Sequence, residues 1–205
     1  MSTDEIVFRS PAGVLRASSV ALVGASERGK WPRLIFGSLR QHGYPGRVFL
    51  VNPRQREVYG EPCYPSLREL PERVDHAMVI VPAAGVADVL TDAKAAGVKS
   101  ATVYAGAVGD GEDAESKKRG AWLRDFLREA PLRLAGPNCM GAHSYRERLF
   151  AYPNAELCQV PPGSVGCVFQ SGGTLQFWLY GLVGFIPGAA ASWIAHEAID
   201  KRAVA

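Results

Sequence analysis

The stretch Ser19-Val-Ala-Leu-Val-Gly24-Ala-Ser-Glu-Arg-Gly29-Lys30-Trp31 runs from an unbroken apolar segment into a loop of small residues. An apolar run of this length with β-branched residues reads as a strand buried on both faces. Gly24 marks its end in a tight turn. Trp31, Leu34, Ile35 and Leu39 then recur at helical spacing, and Gly43 and Gly46 close that helix. Strand, glycine turn and helix make the first unit of a wound α/β fold.

The unit repeats downstream. Arg47 to Asn52 reads as a second strand stopped by Pro53, and Asp75 to Val81 as a third stopped by Pro82. Ser100 to Ala105 and Leu132 to Ala135 read as the fourth and fifth. Helices are expected from Gly85 to Ala96 and from Ala114 to Glu129. Between Pro53 and Asp75, Pro62, Pro65 and Pro71 act as breakers, so a short connector with one helical turn at Ser66–Leu70 is expected. Alternation of this kind predicts a parallel sheet covered on both faces. Such sheets bind ligands at the carboxyl ends of their strands. The loops at Gly24–Lys30, Asn52–Arg54, Pro82, Gly106 and Pro137–Gly141 all fall at those ends.

Residues 1–145 thus read as one domain. Irregular sequence with Pro153, Pro161 and Pro162 makes 146–163 a linker. Ser164 to Gln170 reads as the first strand of a second α/β unit, with a helix from Ser171 to about Val183. Gly184 to Ala205 is alanine-rich, and 164–205 is expected to be the incomplete start of a domain.

Composition narrows the function. Of 205 residues, 47% are hydrophobic and 21% charged, as in ordinary globular proteins. A net charge of +3 with scattered Lys and Arg gives no basic patch for nucleic acid. Cys63, Cys139, Cys158 and Cys167 form no CxxC pair, so no zinc ribbon or thioredoxin-type site is supported. Charges and Pro11 break the first residues, so no signal peptide is expected, and no apolar run is long enough to span a bilayer. A cytosolic protein with reduced thiols is expected.

Each loop carries two readings. Gly24 to Lys30 fits the spacing GxxxxGK, yet Trp31 stands where a phosphate-binding loop places Ser or Thr for magnesium. Small residues there let backbone N–H groups reach an anion, and Lys30 adds charge; the alternative is a plain turn with a solvated lysine. The second strand ends Val51-Asn52-Pro53-Arg54, without the acid that holds the ribose of NAD. Arg54 suits a phosphorylated ribose, as in NADP or coenzyme A (CoA), or is a surface residue beside a turn. Cys139, in Gly136-Pro-Asn-Cys-Met-Gly141, has no sequence neighbour to activate it and reads as a packed or ligand-lining thiol. Ser171-Gly-Gly-Thr174 opens a helix and reads as an anion seat or a plain N-cap. Phe169 excludes a GxSxG elbow, and Asp200 denies His196-Glu197 the second histidine of HExxH. His42 and His76 read as surface or packing residues.

Five segments in register resemble the α-part of the NDP-forming acyl-CoA synthetases, relatives of succinyl-CoA synthetase. They are Ser19–Ser26, Gly46–Pro53, Tyr64–Pro71, Val79–Pro82 and Gly136–Gly141, with a further match at Gly163–Trp178. The resemblance implies a Rossmann-like CoA-binding domain, followed by the start of a flavodoxin-like succinyl-CoA-ligase domain. It implies that CoA lies across the strand ends. Gly24, Ala25, Ser26 and Lys30 would form the first loop of its site, and Asn52, Pro53 and Arg54 the ribose-phosphate end. Pro82, Ala105, Gly106, Asn138 and Cys139 would line the rest. Ser171 and Gly172 match the helix start that steadies a phosphohistidine in the family. That histidine and an ATP-grasp part have no counterpart in this sequence, so a CoA-binding module that meets an ATP-grasp subunit or domain in an oligomer is expected, rather than a competent ligase. A CoA-responsive regulatory module and an NADP-binding oxidoreductase are the alternatives.

Overall fold

The computed structural model describes residues 10–154, 163–175 and a strand at 191–195. A short helix α1 (Ala12–Leu15) precedes β1 (Ser19–Val23), α2 (Lys30–Gln41) and β2 (Arg47–Val51). A hairpin of β3 (Glu57–Val58) and β4 (Glu61–Tyr64) follows, then β5 (His76–Val79), α3 (Val86–Ala95) and β6 (Ser100–Val103). Helix α4 (Ala114–Glu129) and β7 (Arg133–Ala135) complete the main sheet. Its order is β3-β4-β2-β1-β5-β6-β7, and every pair is parallel except β3 with β4. Leaving aside the edge strand β3, the six parallel strands run 3-2-1-4-5-6 in chain order, the Rossmann arrangement.

The sequence dictates the layering. All five residues of β1 are buried, as befits a central strand covered on both sides. Alternate side chains point to opposite faces. Val20 and Leu22 pack with Ile35, Phe36 and Leu39 of α2. Ala21 and Val23 join the other core, with Val86 and Leu90 of α3 and Leu123 of α4.

Two regions differ from the sequence expectation. The connector after Pro53 contains the β3–β4 hairpin, and β4 pairs in parallel with β2 through Leu50↔Cys63 and Val51↔Tyr64. Pro62 looks like a breaker, but it is exposed in the hairpin at the sheet edge, where a missing donor is tolerated. From Gly141 onward, β8 (Gly141–Ser144) and β9 (Leu149–Phe150) form an antiparallel hairpin instead of irregular chain. They belong to a second sheet, ordered β10-β11-β8-β9, with β10 at Val165–Phe169 and β11 at Ala191–Ala195. A two-residue strand has no periodicity to read. Burial supplies the reason for it: Leu149 and Ala151 join the α2-side core. Helix following Ser171 is described over 172–175; its expected continuation to Val183, Cys158 and His196 lie outside the described residues.

The amino ends of the strands are braced at Asp75. Its carboxylate accepts from Ser18 N at 3.0 Å, Ser18 Oγ at 2.5 Å and Lys99 Nζ at 2.8 Å. This ties together the entries to β1, β5 and β6. Hydrogen bonds from Lys99 and then Ser18 hold its pKa at about 2, against an ordinary 3.8. A depressed carboxylate pKa stabilises the fold above the unfolded value and loses that contribution as pH falls through the folded one. Lys99 is largely exposed, so the contribution is about 1–2 kcal/mol. Asp75→Asn is therefore expected to lower stability by about that amount at pH 7. Urea unfolding across a pH series should also show a flatter acid limb between about pH 4 and pH 2 than the parent protein.

Candidate functional site

Strands β1, β2 and β4 step outward on one side, while β5, β6 and β7 step outward on the other. The strand order reverses between β1 and β5, and in such sheets the ligand crevice lies at the carboxyl ends at this switch point. Gly24 sits at this point with φ +94°, and a Cβ on it would collide with the Ile80 carbonyl. Ile80 N donates to Val23 O at 2.9 Å, so the two strand ends stay joined up to the turn. Only glycine satisfies both the positive φ and the close approach.

The first loop then crosses over the end of β2. Gly24 N and Ala25 N both donate to Val51 O, at 2.9 and 3.3 Å. Arg28 N donates to Ser26 Oγ at 3.2 Å, and Gly29 N to Ser26 O at 3.0 Å. Among the described residues this leaves the amides of Ser26 and Glu27 without a partner. In α2 the first-turn amides of Lys30 and Trp31 have no intrahelical acceptor, and Pro32 has no N–H. The loop can present donors to an anion, but they come from Ser26 onward. Gly24 and Ala25 contribute close backbone approach, and the Ala25 side chain is fully buried.

Asn52 holds two loops together. Its Nδ2 donates to Ala25 O at 2.7 Å, and its Oδ1 accepts from Arg54 N at 2.9 Å. Pro53 and Arg54 are exposed beyond it. Lys30, at the start of α2, is also exposed. Neither Lys30 nor Arg54 forms an ion pair among the described residues, so both cations stand available at the rim.

Across the crevice, Pro82 is exposed and begins a helical turn at Ala83–Gly85. Asn138 N donates to Ala105 O at 2.9 Å, and Cys139 N to Val103 O at 3.3 Å, so the Gly136–Gly141 turn folds back over the end of β6. Asn138 is exposed with φ +53°, and its Oδ1 lies 3.5 Å from the position a Cβ on Gly106 would take. The peptide between Gly136 and Pro137 is cis. Cys139 points inward: it is 1% exposed and packs with Val14, Ala135 and Ala142. Burial pushes its thiol up to about 11, so it carries no thiolate at neutral pH. The packed alternative holds for its side chain. The Gly106–Asp113 loop is knit by Ser116, whose Oγ accepts from Gly109 N at 3.1 Å and Gly111 N at 2.9 Å.

His76 is buried between Ser100 Oγ at 2.8 Å and Thr102 Oγ1 at 3.1 Å, and burial lowers its pKa to about 4. It is a packing residue and neutral at physiological pH. Ser171 and Gly172 follow β10 of the second sheet, and a Cβ on Gly172 would lie 2.6 Å from Met140 of the Gly136–Gly141 turn. Ser171 Oγ accepts from Thr174 N at 3.3 Å, which makes the N-cap reading concrete, and Gly172 O accepts from Tyr152 Oη at 3.2 Å. Among the described residues there is no group of three side chains suited to a metal, and no helix long and apolar enough to cross a membrane.

One residue of the site escapes sequence reasoning. Tyr59, in the β3–β4 turn, donates its hydroxyl to Ser26 O at 2.8 Å and its N–H to the Glu27 carboxylate at 2.7 Å. Arg33 closes the same group, donating to Glu27 O at 2.7 Å and to its carboxylate at 2.8 Å. The Tyr-Gly pair at 59–60 is a turn signal, but nothing local shows that it meets the first loop, more than thirty residues earlier.

Known proteins match this arrangement. Residues 18–144 fit the family model described as the CoA binding domain. The chain is 32% identical over 158 residues to the ADP-forming acetate–CoA ligase II of Archaeoglobus fulgidus, a match covering 75% of this chain and 23% of that protein. It is 34% identical over 162 residues to the alpha subunit of the ADP-forming acetate–CoA ligase I of Pyrococcus furiosus, covering 75% of this chain and 34% of the subunit. The apo structure of the dinucleotide-forming acetyl-coenzyme A synthetase 1 of Ca. Korarchaeum cryptofilum superposes with a TM-score of 0.78 at 28% identity, over 92% of this chain and 41% of that one. The chain thus spans less than two thirds of each of these relatives. With its Rossmann strand order, its glycine at the switch point and a family match across the whole main sheet, the chain belongs to the CoA-binding domain family, in the form shared with the ADP-forming acid–CoA ligases.

Proposed function

We propose that this chain binds CoA in the crevice at the carboxyl ends of β1 and β5, as the CoA module of an ADP-forming acid–CoA ligase. The observation that carries the proposal is the rim itself. Unpartnered amides at Ser26 and Glu27 lie in the loop that leads to an uncapped helix start, flanked by the unpaired cations Lys30 and Arg54. A diphosphate with a distal ribose phosphate is the ligand such a row of donors suits.

In this account Lys30 and the Ser26 loop meet the diphosphate, with Gly24 and Ala25 as the floor that lets it approach. Arg54 takes the 3′-phosphate, with Asn52 and Pro53 shaping its loop. The pantetheine arm passes Pro82, Ala105, Gly106 and Asn138; Cys139 contributes backbone and packing to that wall. Ser171 and Gly172 belong to a separate helix start for a phosphorylated group. We assign 1–145 to the CoA-binding domain, 146–163 to a connection and 164–205 to a second ligase-type domain. Thioester formation through an acyl phosphate and a phosphohistidine then requires an ATP-grasp subunit or domain, in a cytosolic oligomer.

Calorimetric titration separates the readings. CoA is expected to bind, and dephospho-CoA to bind more weakly. Arg54→Ala should cost about 1–2 kcal/mol of CoA affinity and leave dephospho-CoA affinity unchanged. Preference for NADPH would instead support an oxidoreductase, and equal CoA affinity in Arg54→Ala would remove the phosphate role. Gly24→Ala should destabilise the fold by at least about 2 kcal/mol, because the added methyl meets the Ile80 carbonyl in a left-handed backbone. Thermal unfolding checks this; an unchanged midpoint would contradict the close approach.

A further inference from the structure

Tyr59 and Gly60 are the two central residues of the β3–β4 turn, with φ of 55° and 74°. Two-residue turns of this kind favour Asn-Gly or Asp-Gly, because both positions need positive φ. A tyrosine at the first position is costly there and persists only where its surroundings over-determine it. The side chain shows what determines it. The ring stacks on Phe36 at 5.0 Å, and Arg33 lies 5.8 Å from its centroid. The hydroxyl reaches Ser26 O, and the backbone N–H reaches the Glu27 carboxylate.

These contacts fix the orientation of the loop peptides. In a trans peptide the C=O and the following N–H point in opposite directions. Asn52 draws the Ala25 carbonyl to itself, so the Ser26 N–H faces away from Asn52. Tyr59 draws the Ser26 carbonyl to itself, so the Glu27 N–H faces away from Tyr59. Arg33 holds the next carbonyl, that of Glu27. Carbonyl oxygens that would repel a phosphate are thus engaged by protein donors, and the two amides opposite them are left for a ligand. An asparagine at position 59 would ease the turn but could not reach Ser26 O across the loop.

We propose that Tyr59 is a positioning residue for the CoA diphosphate, anchoring the first loop so that the amides of Ser26 and Glu27 receive the ligand. This rests on the CoA reading given above and adds to it a residue of the edge hairpin that need not touch the ligand.

Tyr59→Phe removes the hydroxyl alone and keeps the ring stack and the backbone donor. The test titrates parent and variant with CoA and, separately, with inorganic pyrophosphate, by calorimetry and by following the backbone amide resonances of Ser26 and Glu27. In the parent protein both amides are expected to shift with either probe. In the variant, affinity for both probes should fall by about five- to tenfold, with smaller shifts at Ser26 and Glu27 and a nearly unchanged unfolding midpoint. Equal affinity and equal amide shifts in parent and variant would overturn the positioning role. So would a parent protein whose Ser26 and Glu27 amides respond to neither probe. A response to pyrophosphate without CoA binding would uphold the anchored loop and sink the CoA reading instead.

Discussion

The end of β1 is the constraint on which the rest of the site depends. There the chain must leave a central strand, pass within contact of the Ile80 carbonyl and turn toward a helix on one face of the sheet. Gly24 makes that possible because it has no Cβ and adopts a positive φ. Once the turn is made, Val51 O accepts the amides of Gly24 and Ala25, and the loop is pinned to the end of β2. Everything that follows at the rim is positioned from this pin: Asn52 against Ala25, Tyr59 against Ser26, and α2 starting at Lys30.

The two ends of the sheet are built for different tasks. At the amino ends, the Asp75 cluster joins three strand entries through charge-assisted bonds. At the carboxyl ends, among the described residues, Lys30 and Arg54 are exposed without an ion pair and the amides of Ser26 and Glu27 have no protein acceptor. Cys139, in the turn after β7, packs its side chain into the interior, and His76 sits at the other end of the sheet, where β5 begins. Cys139 is buried with its thiol protonated, and His76 is buried and neutral between two hydroxyls.

Much of the fold was legible because the strands that matter most are apolar on both faces. The runs Val20–Val23 and Ala77–Val79 are buried throughout and stand out as unbroken hydrophobic segments. Helix α4 has the bounds expected from the sequence, Ala114–Glu129, and Asp113 caps it by accepting from Ser116 N at 2.8 Å. The hairpins β3–β4 and β8–β9 were not legible: their strands are two to four residues long, and Pro62 sits inside one of them. The site divides in the same way. The loops at the strand ends were legible from glycines and prolines, whereas the partners of their side chains were not. Asn52 spends its amide on Ala25, Cys139 turns into the core, and Tyr59 reaches back to Ser26; each contact is long-range or depends on side-chain direction, which spacing does not encode.

A crystal structure of the chain with CoA tests the central claim most directly. The account predicts the diphosphate within hydrogen-bonding distance of the Ser26 and Glu27 amides, and the 3′-phosphate beside Arg54. CoA bound at the amino ends of the strands, or against the second sheet with the Gly24 loop empty, would contradict it.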